Sequence, residues 1–184
     1  KKENKNAPLL YNLAELQNDC SKYFKISPDE TLRIVQELYE KKMTTYPRTD
    51  ARVLSTAVAK EIHKNIGGLR SYALATPFAK EVLEQGTYKN IAKTRYVNDK
   101  QITDHYAIIP TGQNNLAGLA PTAAKVYEVI VRRFLSIFYP PAVYQKFSLT
   151  VKVKEENFFA SFKVLVQEGY LKVANFSFKK ENTA

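Results

Sequence analysis

The sequence predicts an α+β fold in which a mostly helical domain is followed by antiparallel β-strands. Apolar residues recur at helical spacing through the first part of the chain, where several capping signals also occur. After Pro140 and Pro141 the pattern changes to segments rich in β-branched and aromatic residues. We therefore expect residues 1–10 to be a linker or fragment end, residues 11–141 to be a helical domain, and residues 142–184 to be the β-strand part of a second domain.

The helical domain is predicted to contain five helices. The clearest start is at Ser27, where serine can cap the helix, Pro28 suits its first position and Glu30 completes a capping box. Glycine is expected to end two of the later helices, because it adopts the left-handed conformation easily. The predicted helices begin at Leu13 and at Pro28, and cover about 55–66 (ended by Gly67 and Gly68), 77–85 (ended by Gly86) and 121–138.

The connections between these helices include two stretches with a character of their own. MTTYP, at 43–47, should be extended, because threonine favours strands and the residue before a proline avoids the helical region. Residues 87–104 should be irregular. The short apolar run 107–110 is predicted to be a buried strand.

The last part of the chain is predicted to form a β-hairpin and one more strand. FSLTVKV and FFASFKVLV have strand-like patterns and are joined by Glu155, Glu156 and Asn157. GYLKVANFSF, at 169–178, is the expected further strand. The first eight residues are polar and basic, which indicates a frayed end or a severed linker.

Composition limits the possible partners and compartments. The chain has 28 basic and 18 acidic side chains, a formal net charge of +10, which favours a polyanionic partner: nucleic acid first, an anionic membrane surface second. No apolar run is long enough to span a bilayer. A single cysteine, Cys20, fits a reducing compartment, and we expect a cytoplasmic protein. Because the chain starts without methionine, we expect it to be a piece of a longer protein.

Tyr46 is the first candidate for chemistry. A phenol is a weak nucleophile at neutral pH unless its anion is stabilised or its proton is removed. On an extended strand Arg48 lies on the same face as Tyr46, and a guanidinium there can bind a phosphate with two hydrogen bonds. Pro47 stiffens the link between them. Taken alone, however, a tyrosine beside a proline is more often part of a turn than a catalytic group.

A second stretch, TDHYAIIPT at 103–111, changes that balance. It contains His105, one of two histidines, at the head of the apolar run. A histidine there can donate to a phosphate or move a proton, although a lone histidine is more often structural.

Together the two stretches resemble the type IA DNA topoisomerases, particularly the topoisomerase III branch. That family has a leucine-tyrosine-glutamate run before a tyrosine-proline-arginine-threonine-aspartate signature, as in QELYE at 36–40 and TYPRTD at 45–50. About sixty residues further on it has a histidine segment ending in alanine-isoleucine-isoleucine-proline-threonine, as in DHYAIIPT at 104–111. With LYNLAELQ upstream and YPPAVYQKFSLTV downstream, the resemblance covers most of residues 8–165.

The resemblance implies a role for three residues. Tyr46 matches the nucleophile that takes the 5′-phosphate of a broken DNA strand, Arg48 the arginine that contacts that phosphate, and His105 the histidine that contacts DNA phosphate near the site. It also implies that residues 11–141 are a helical, helix-turn-helix-like gate domain and that the strands belong to the arch on which it swings.

The family's magnesium site lies in an N-terminal domain with a glutamate and an Asp-x-Asp motif, and this sequence contains no Asp-x-Asp. We therefore expect Mg²⁺ to be bound in the full-length enzyme by a domain absent here, no cofactor in this fragment, and no DNA cleavage by the fragment alone. Expected partners are single-stranded DNA and the N-terminal metal-binding half of the same protein, and no membrane.

Further DNA contacts are predicted at three cations. Lys42 directly precedes the tyrosine stretch, while Lys93 and Arg95 lie between Tyr88 and Tyr96, a mixture of cations and aromatic rings typical of single-strand binders. A solvated loop is the commoner meaning of that second pattern.

Two other functions remain open on sequence grounds. Charge and helices alone would also suit a non-catalytic helix-turn-helix DNA-binding module, or a protein-interaction domain with an acidic partner. The dependence of single-strand binding on salt would separate the second alternative from nucleic-acid recognition.

Overall fold

A computed structural model describes residues 1–174 of the chain. A three-stranded antiparallel sheet extends from a helical body, so that the predicted α+β class is observed. None of the helices within residues 1–174 has the length and apolar character needed to cross a membrane. The elements, in chain order, are β1 (Lys2–Lys5), α1 (Leu13–Phe24), α2 (Pro28–Glu40), α3 (Thr56–Lys60), α4 (Ile62–Gly68), α5 (Thr76–Gln85), α6 (Pro121–Ser136), β2 (Ala142–Val153), β3 (Glu156–Gln167) and α7 (Leu171–Ala174), with 3₁₀ turns at Leu69–Ser71, Thr87–Lys93 and Asp99–Gln101.

Local capping explains where α1 and α2 begin. The Asn12 side chain accepts a hydrogen bond from the Glu15 backbone N–H at 2.8 Å, and the Ser27 hydroxyl accepts one from the Glu30 N–H at 3.1 Å. Each cap satisfies a backbone donor that has no partner inside the helix. The apolar face of α2, including Leu38, is buried in the core. The predicted starts of both helices are therefore confirmed.

The helix predicted at 55–66 is broken and ends later than expected. Glu61 leaves helical geometry (φ −109°, ψ 8°) and separates α3 from α4. Gly67 and Gly68 do not end the helix, since α4 includes both. A β-carbon on Gly68 would lie 2.3 Å from the carbonyl oxygen of Gly112, so glycine is required there for close backbone packing.

The sheet has the order β1-β2-β3, and two predictions about its ends are wrong. Residues 2–5 are not a frayed end, because β1 pairs with β2 from Lys2 opposite Gln145 to Lys5 opposite Ala142. The hairpin turn is Lys154 and Glu155, one residue earlier than predicted, since Val153 pairs with Glu156 and Lys154 adopts φ 57°. The pairing of β1 is long-range, which explains why local pattern did not reveal it.

The further strand predicted at 169–178 is also wrong within the described residues. Leu171–Ala174 is the short helix α7, while residues 175–178 lie outside the described part. Tyr170 and Val173 are buried in the core, and the Arg132 guanidinium donates to the Val173 carbonyl at 3.0 Å. After the hairpin, the chain therefore returns to pack against α6.

The hairpin has two chemically different faces. Paired residues of antiparallel strands share a face, and successive residues alternate between faces. One side, the apolar face, carries large exposed side chains. It consists of Phe147, Leu149, Val151, Val153, Phe158, Ala160, Phe162 and Val164, with the polar Gln145 and Glu156 at its two ends. The other side, the basic face, consists of Lys146, Ser148, Thr150, Lys152, Asn157, Phe159, Ser161 and Lys163, with Tyr144 and Leu165 at the end away from the turn.

Stability should fall in alkaline solution because the core contains acidic groups held protonated. Burial raises the pKa of the Cys20 thiol from 9.0 to about 12, and it also raises the pKa of Tyr11, Tyr72 and Tyr127. When the folded pKa is the higher one, the unfolded state loses its proton first, so stability is complete below the unfolded pKa and declines above it. We expect urea midpoints to be constant near neutrality and to fall from about pH 9 upward. Cys20→Ala should remove the part of the decline that begins at the lowest pH. If the urea midpoint of that variant depends on pH as the wild type does, the Cys20 thiol does not contribute to the decline.

Candidate active site

The MTTYPRTD stretch follows α2 and lies beside the histidine segment. The Thr45 N–H donates to the Ile109 carbonyl at 3.0 Å, and the Thr111 N–H donates to the Met43 carbonyl at 3.0 Å. Thr44 and Pro110 form an antiparallel bridge between these bonds. The stretch is thus extended, as predicted, and residues far apart in sequence meet. The run 107–110 is buried but makes single bridges and no continuous strand.

Threonine side chains join the two segments further. The Thr45 hydroxyl donates to the Ala107 carbonyl at 3.1 Å and accepts from the Ile109 N–H at 3.0 Å. The Thr49 hydroxyl donates to the His105 carbonyl at 3.3 Å, so the residues on both sides of Tyr46 are tied to the histidine segment. Sequence reasoning missed this function of the threonines, although their positions around the tyrosine were a visible signal.

The Tyr46 side chain is half-buried between two other rings. Its ring centre lies 4.4 Å from that of His105, with 39° between the planes. On the other side the Tyr39 ring lies 5.4 Å away in an edge-to-face arrangement of 79°. Such contacts limit the motion of the phenol and keep its orientation well defined. Tyr39, on the last turn of α2, was not predicted as a site residue.

A cavity of about 550 Å³ opens beside these rings. Hydroxyl, carboxylate and ammonium groups share its wall with aromatic rings, a lining that suits a polar, partly aromatic ligand. Its walls include Tyr39, Glu40, Lys42, Tyr46, His105, Tyr106 and Thr111. The structure therefore brings Lys42, Tyr46 and His105 together.

Arg48 is exposed, and its guanidinium has no hydrogen-bond or ion-pair partner among residues 1–174. The two residues on either side of it, Pro47 and Thr49, are buried and fix the backbone from which it projects. All five N–H donors of the guanidinium are thus available to an anion that reaches this loop.

Residues 9–13 support the loop that carries Tyr46, which we call the tyrosine loop. The Leu13 N–H donates to the Thr49 carbonyl at 3.1 Å, and the Leu10 N–H donates to the Arg52 carbonyl at 3.1 Å. The Ile108 N–H donates to the Tyr11 carbonyl at 2.9 Å. Residues 9–13 therefore hold both the tyrosine loop and the histidine segment.

A buried cluster fixes residues 9–13 in turn. The Tyr11 hydroxyl donates to the Asp19 carboxylate at 2.5 Å, and the Arg133 guanidinium donates to the same carboxylate at 3.1 Å. The guanidinium also stacks 4.2 Å from the centre of the Tyr11 ring. We name these three residues the Asp19 cluster. It joins α6 and α1 to residues 9–13, which support the site.

Comparisons with known proteins identify the family of the chain. A family model described as DNA topoisomerase matches residues 1–184. The chain belongs to the DNA topoisomerase family. It is 36% identical to DNA topoisomerase 3 of Bacillus cereus over 99% of the chain and 25% of that protein, and 36% identical to DNA topoisomerase 3 of Bacillus subtilis over 89% of the chain and 22% of that protein. This topoisomerase chain thus spans about a quarter of the length of the curated relatives it matches, and the resemblance inferred from the two motifs is confirmed.

A solved structure confirms the fold class of the topoisomerase chain. Full-length topoisomerase I from Thermotoga maritima superposes with a TM-score of 0.64 and 22% sequence identity, over 97% of this chain and 30% of that one. At this identity the likeness concerns the fold alone.

The other predicted DNA contacts of the topoisomerase chain lie apart from the tyrosine. Neither Lys93 nor Arg95 lines the cavity beside Tyr46. The Arg95 guanidinium donates to the Ala7 carbonyl at 2.9 Å, and Tyr96, its aromatic neighbour, is buried with its hydroxyl on the same carbonyl at 2.6 Å. A base therefore cannot stack on Tyr96. Arg95 and Tyr96 instead hold the N-terminal segment through the Ala7 carbonyl.

Within residues 1–174 of the topoisomerase chain, no three His, Cys, Asp or Glu side chains converge on a point where they could hold a metal ion. The acidic residues nearest to Tyr46 in sequence, Glu40 and Asp50, are exposed. The side chains of residues 1–174 therefore do not fit a magnesium site.

Proposed function

We propose that this chain carries the nucleophile of a type IA DNA topoisomerase and that Tyr46 attacks a phosphodiester of single-stranded DNA. The observation that supports this most directly is the contact of the Tyr46 and His105 rings at 4.4 Å, on the wall of a cavity that Lys42 also lines. A phenol, an imidazole and the Lys42 ammonium at one cavity are suited to reaction at a phosphate.

In the proposed reaction the phenolic oxygen of Tyr46 bonds to phosphorus while the bond from phosphorus to the 3′ oxygen breaks. The phenol loses its proton, the leaving oxygen gains one, and a 5′-phosphotyrosyl link and a free 3′-hydroxyl result. One phosphodiester replaces another, so the 3′-hydroxyl can attack in reverse and reseal the strand after another strand has passed. No external energy source is needed for this exchange.

The other site residues act on the phosphate in this proposal. Arg48, whose guanidinium is unpartnered, binds the non-bridging oxygens and offsets the charge that grows on them. His105 donates a hydrogen bond to phosphate next to the broken bond. Lys42 increases the positive potential of the cavity. Thr45 and Thr49 hold the nucleophile and the histidine in register.

The domain division and partners belong to the same proposal. Residues 11–141 would form the gate and residues 142–184 part of the arch, while an N-terminal half of the same protein would bind Mg²⁺ and complete the cleft. By itself the chain should not relax DNA, since one wall of that cleft is missing. Lys93 and Arg95 remain candidate DNA contacts at a distance from the cleft. A free, buried Cys20 fits a cytoplasmic protein.

Mapping the covalent link tests the proposal. The full-length protein is incubated with single-stranded DNA and Mg²⁺, denatured, and digested with nuclease and trypsin. We expect a residual nucleotide on the peptide 43–48, released by cleavage after Lys42 and Arg48. The peptide 34–41, which carries Tyr39, is the internal control and should be unmodified. A nucleotide on the control peptide, or on neither, would show that Tyr46 is not the nucleophile.

A further inference from the structure

The basic face of the hairpin exposes an aromatic ring among lysines. Phe159 is 80% exposed, more than any other large apolar side chain in the described part of the chain. It lies opposite Thr150, and Lys152 and Asn157 form the next pair toward the turn. In the other direction Ser148 and Ser161 come first, followed by Lys146 opposite Lys163. Phe159 therefore has polar neighbours on every side of this face.

The lysines of this face are incompletely compensated. Lys146 and Lys163 are directly opposite each other, an arrangement that destabilises a sheet unless the charge is offset. Glu3, on β1, binds Lys163 at 2.9 Å, and the hydrogen bond from Lys163, together with the charges of Lys163, Lys146 and Lys5, lowers the pKa of the Glu3 carboxyl. The Glu3 carboxylate thus offsets the charge of several lysines. Lys146 and Lys152 have no ion-pair partner among residues 1–174.

We propose that the basic face binds single-stranded nucleic acid, with an unpaired base stacked on Phe159 and phosphates bound by Lys146, Lys152 and Lys163. This is a second site, and it goes beyond the proposed cleavage at Tyr46. A base presents a flat ring to an exposed phenylalanine, and this contact requires an unpaired strand. The lysines lie on both sides of that ring: Lys152 is on the adjacent pair, and Lys163 is four residues along β3, about 13 Å away. A strand that crosses the ring would place its backbone over cations in both directions.

The choice of occupant follows from charge and from the position of the ring. A duplex could satisfy the lysines but would leave Phe159 in water. An anionic membrane would be expected to take up the apolar face, which is on the opposite side of the same hairpin. Single-stranded nucleic acid uses both kinds of group on the basic face at once.

The test is equilibrium binding of fluorescent oligothymidylate to the 184-residue chain, with chelator present so that no bond is broken. Phe159→Ala should weaken binding about tenfold, within the range found for loss of a stacked base. Phe158→Ala is the matched control, because Phe158 is the adjacent residue, 54% exposed, on the apolar face. It should leave affinity unchanged.

The salt dependence should change as well: Lys146→Gln with Lys163→Gln should reduce the slope of log affinity against log salt by about 1.4, or about 0.7 for each phosphate contact. Lys22→Gln with Lys80→Gln removes the same charge elsewhere and should leave the slope unchanged.

A photo-crosslink gives an independent measurement. Oligonucleotide containing 5-iodouracil should attach to the tryptic peptide 155–163, with the adduct on Phe159. Equal affinities for Phe159→Ala and Phe158→Ala, together with no adduct on this peptide, would overturn the proposal. It would also be overturned if anionic vesicles bound the chain and Phe158→Ala, but not Phe159→Ala, abolished that binding. Because no covalent link to Tyr46 is involved, the result is independent of the proposed nucleophile.

Discussion

Full-length protein with Tyr46→Phe should form no covalent complex with single-stranded DNA, whereas its affinity for that DNA should change little. The substitution removes one oxygen atom, the atom that would bond to phosphorus, and keeps the ring that packs against His105 and Tyr39. The adjacent Thr45 hydroxyl cannot take its place without breaking its own bonds, because it already donates to the Ala107 carbonyl and accepts from the Ile109 N–H. End-labelled DNA that remains on the denatured protein measures the complex, and it should fall to background.

Tyr39→Phe is the matched control for this experiment. It also removes one phenolic oxygen from the same cavity, but from the ring that supports the nucleophile. The complex should persist in this variant. If Tyr46→Phe retains as much label as the wild type, or if Tyr39→Phe loses it equally, Tyr46 is not the nucleophile.

The largest loss of stability should come from Asp19→Ala. The substitution leaves the Arg133 cation and the Tyr11 hydroxyl in the interior without their common acceptor. The side chains of Arg133 and Asp19 are 15% and 12% exposed, so water compensates for little of this loss. Removal of one partner from a buried ion pair typically costs about 3–5 kcal/mol. For a chain of this size the midpoint of thermal unfolding should fall by roughly 6–20 °C.

Glu30→Ala provides the comparison for Asp19→Ala. Glu30 also forms an ion pair with an arginine, Arg33, but both side chains are at the surface, 39% and 63% exposed. Exposed pairs of this kind contribute little to stability, and the midpoint should be nearly unchanged. Circular dichroism during heating measures both variants. Equal shifts would mean that the Asp19 cluster is not an essential part of the core.

Elements defined by local signals were predictable from the sequence. The caps at Ser27 and Gly86 and the proline at the start of α6 act within a few residues, and the structure has helices at all three places. The hairpin followed from the alternation of its strands. In each case the deciding interactions lie close together in the chain.

Elements defined by distant partners were not predictable. The sequence of β1, KENK, has no strand pattern, and its pairing depends on β2 about 140 residues away. α7 has the composition of a strand, but Tyr170 and Val173 gain burial against the helical body when the chain is helical there. Tertiary packing therefore overrode local preference at Lys2–Lys5 and at Leu171–Ala174.

The candidate site divides in the same way. Tyr46 and His105 were found because each belongs to a recognisable motif, although only the fold shows that their rings touch. Thr49 and the Asp19 cluster were missed because their partners are 56 and 114 residues away in the chain. A hydroxyl or carboxylate has no distinctive pattern in sequence until its partner is known.

The apolar face of the hairpin has a consequence for the behaviour of the chain in concentrated solution. Within residues 1–174 β3 is an edge strand with unpaired backbone groups, and it contains the run FFASFKVLV. Such an edge can add a strand from another molecule, and the exposed phenylalanines would favour stacking of the resulting sheets. The charge of +10 opposes this approach, but its range shrinks to about 10 Å at 0.1 M salt. Dilute, low-salt buffer therefore keeps copies of the chain apart by repulsion, while concentration in high salt leads them toward β-aggregation.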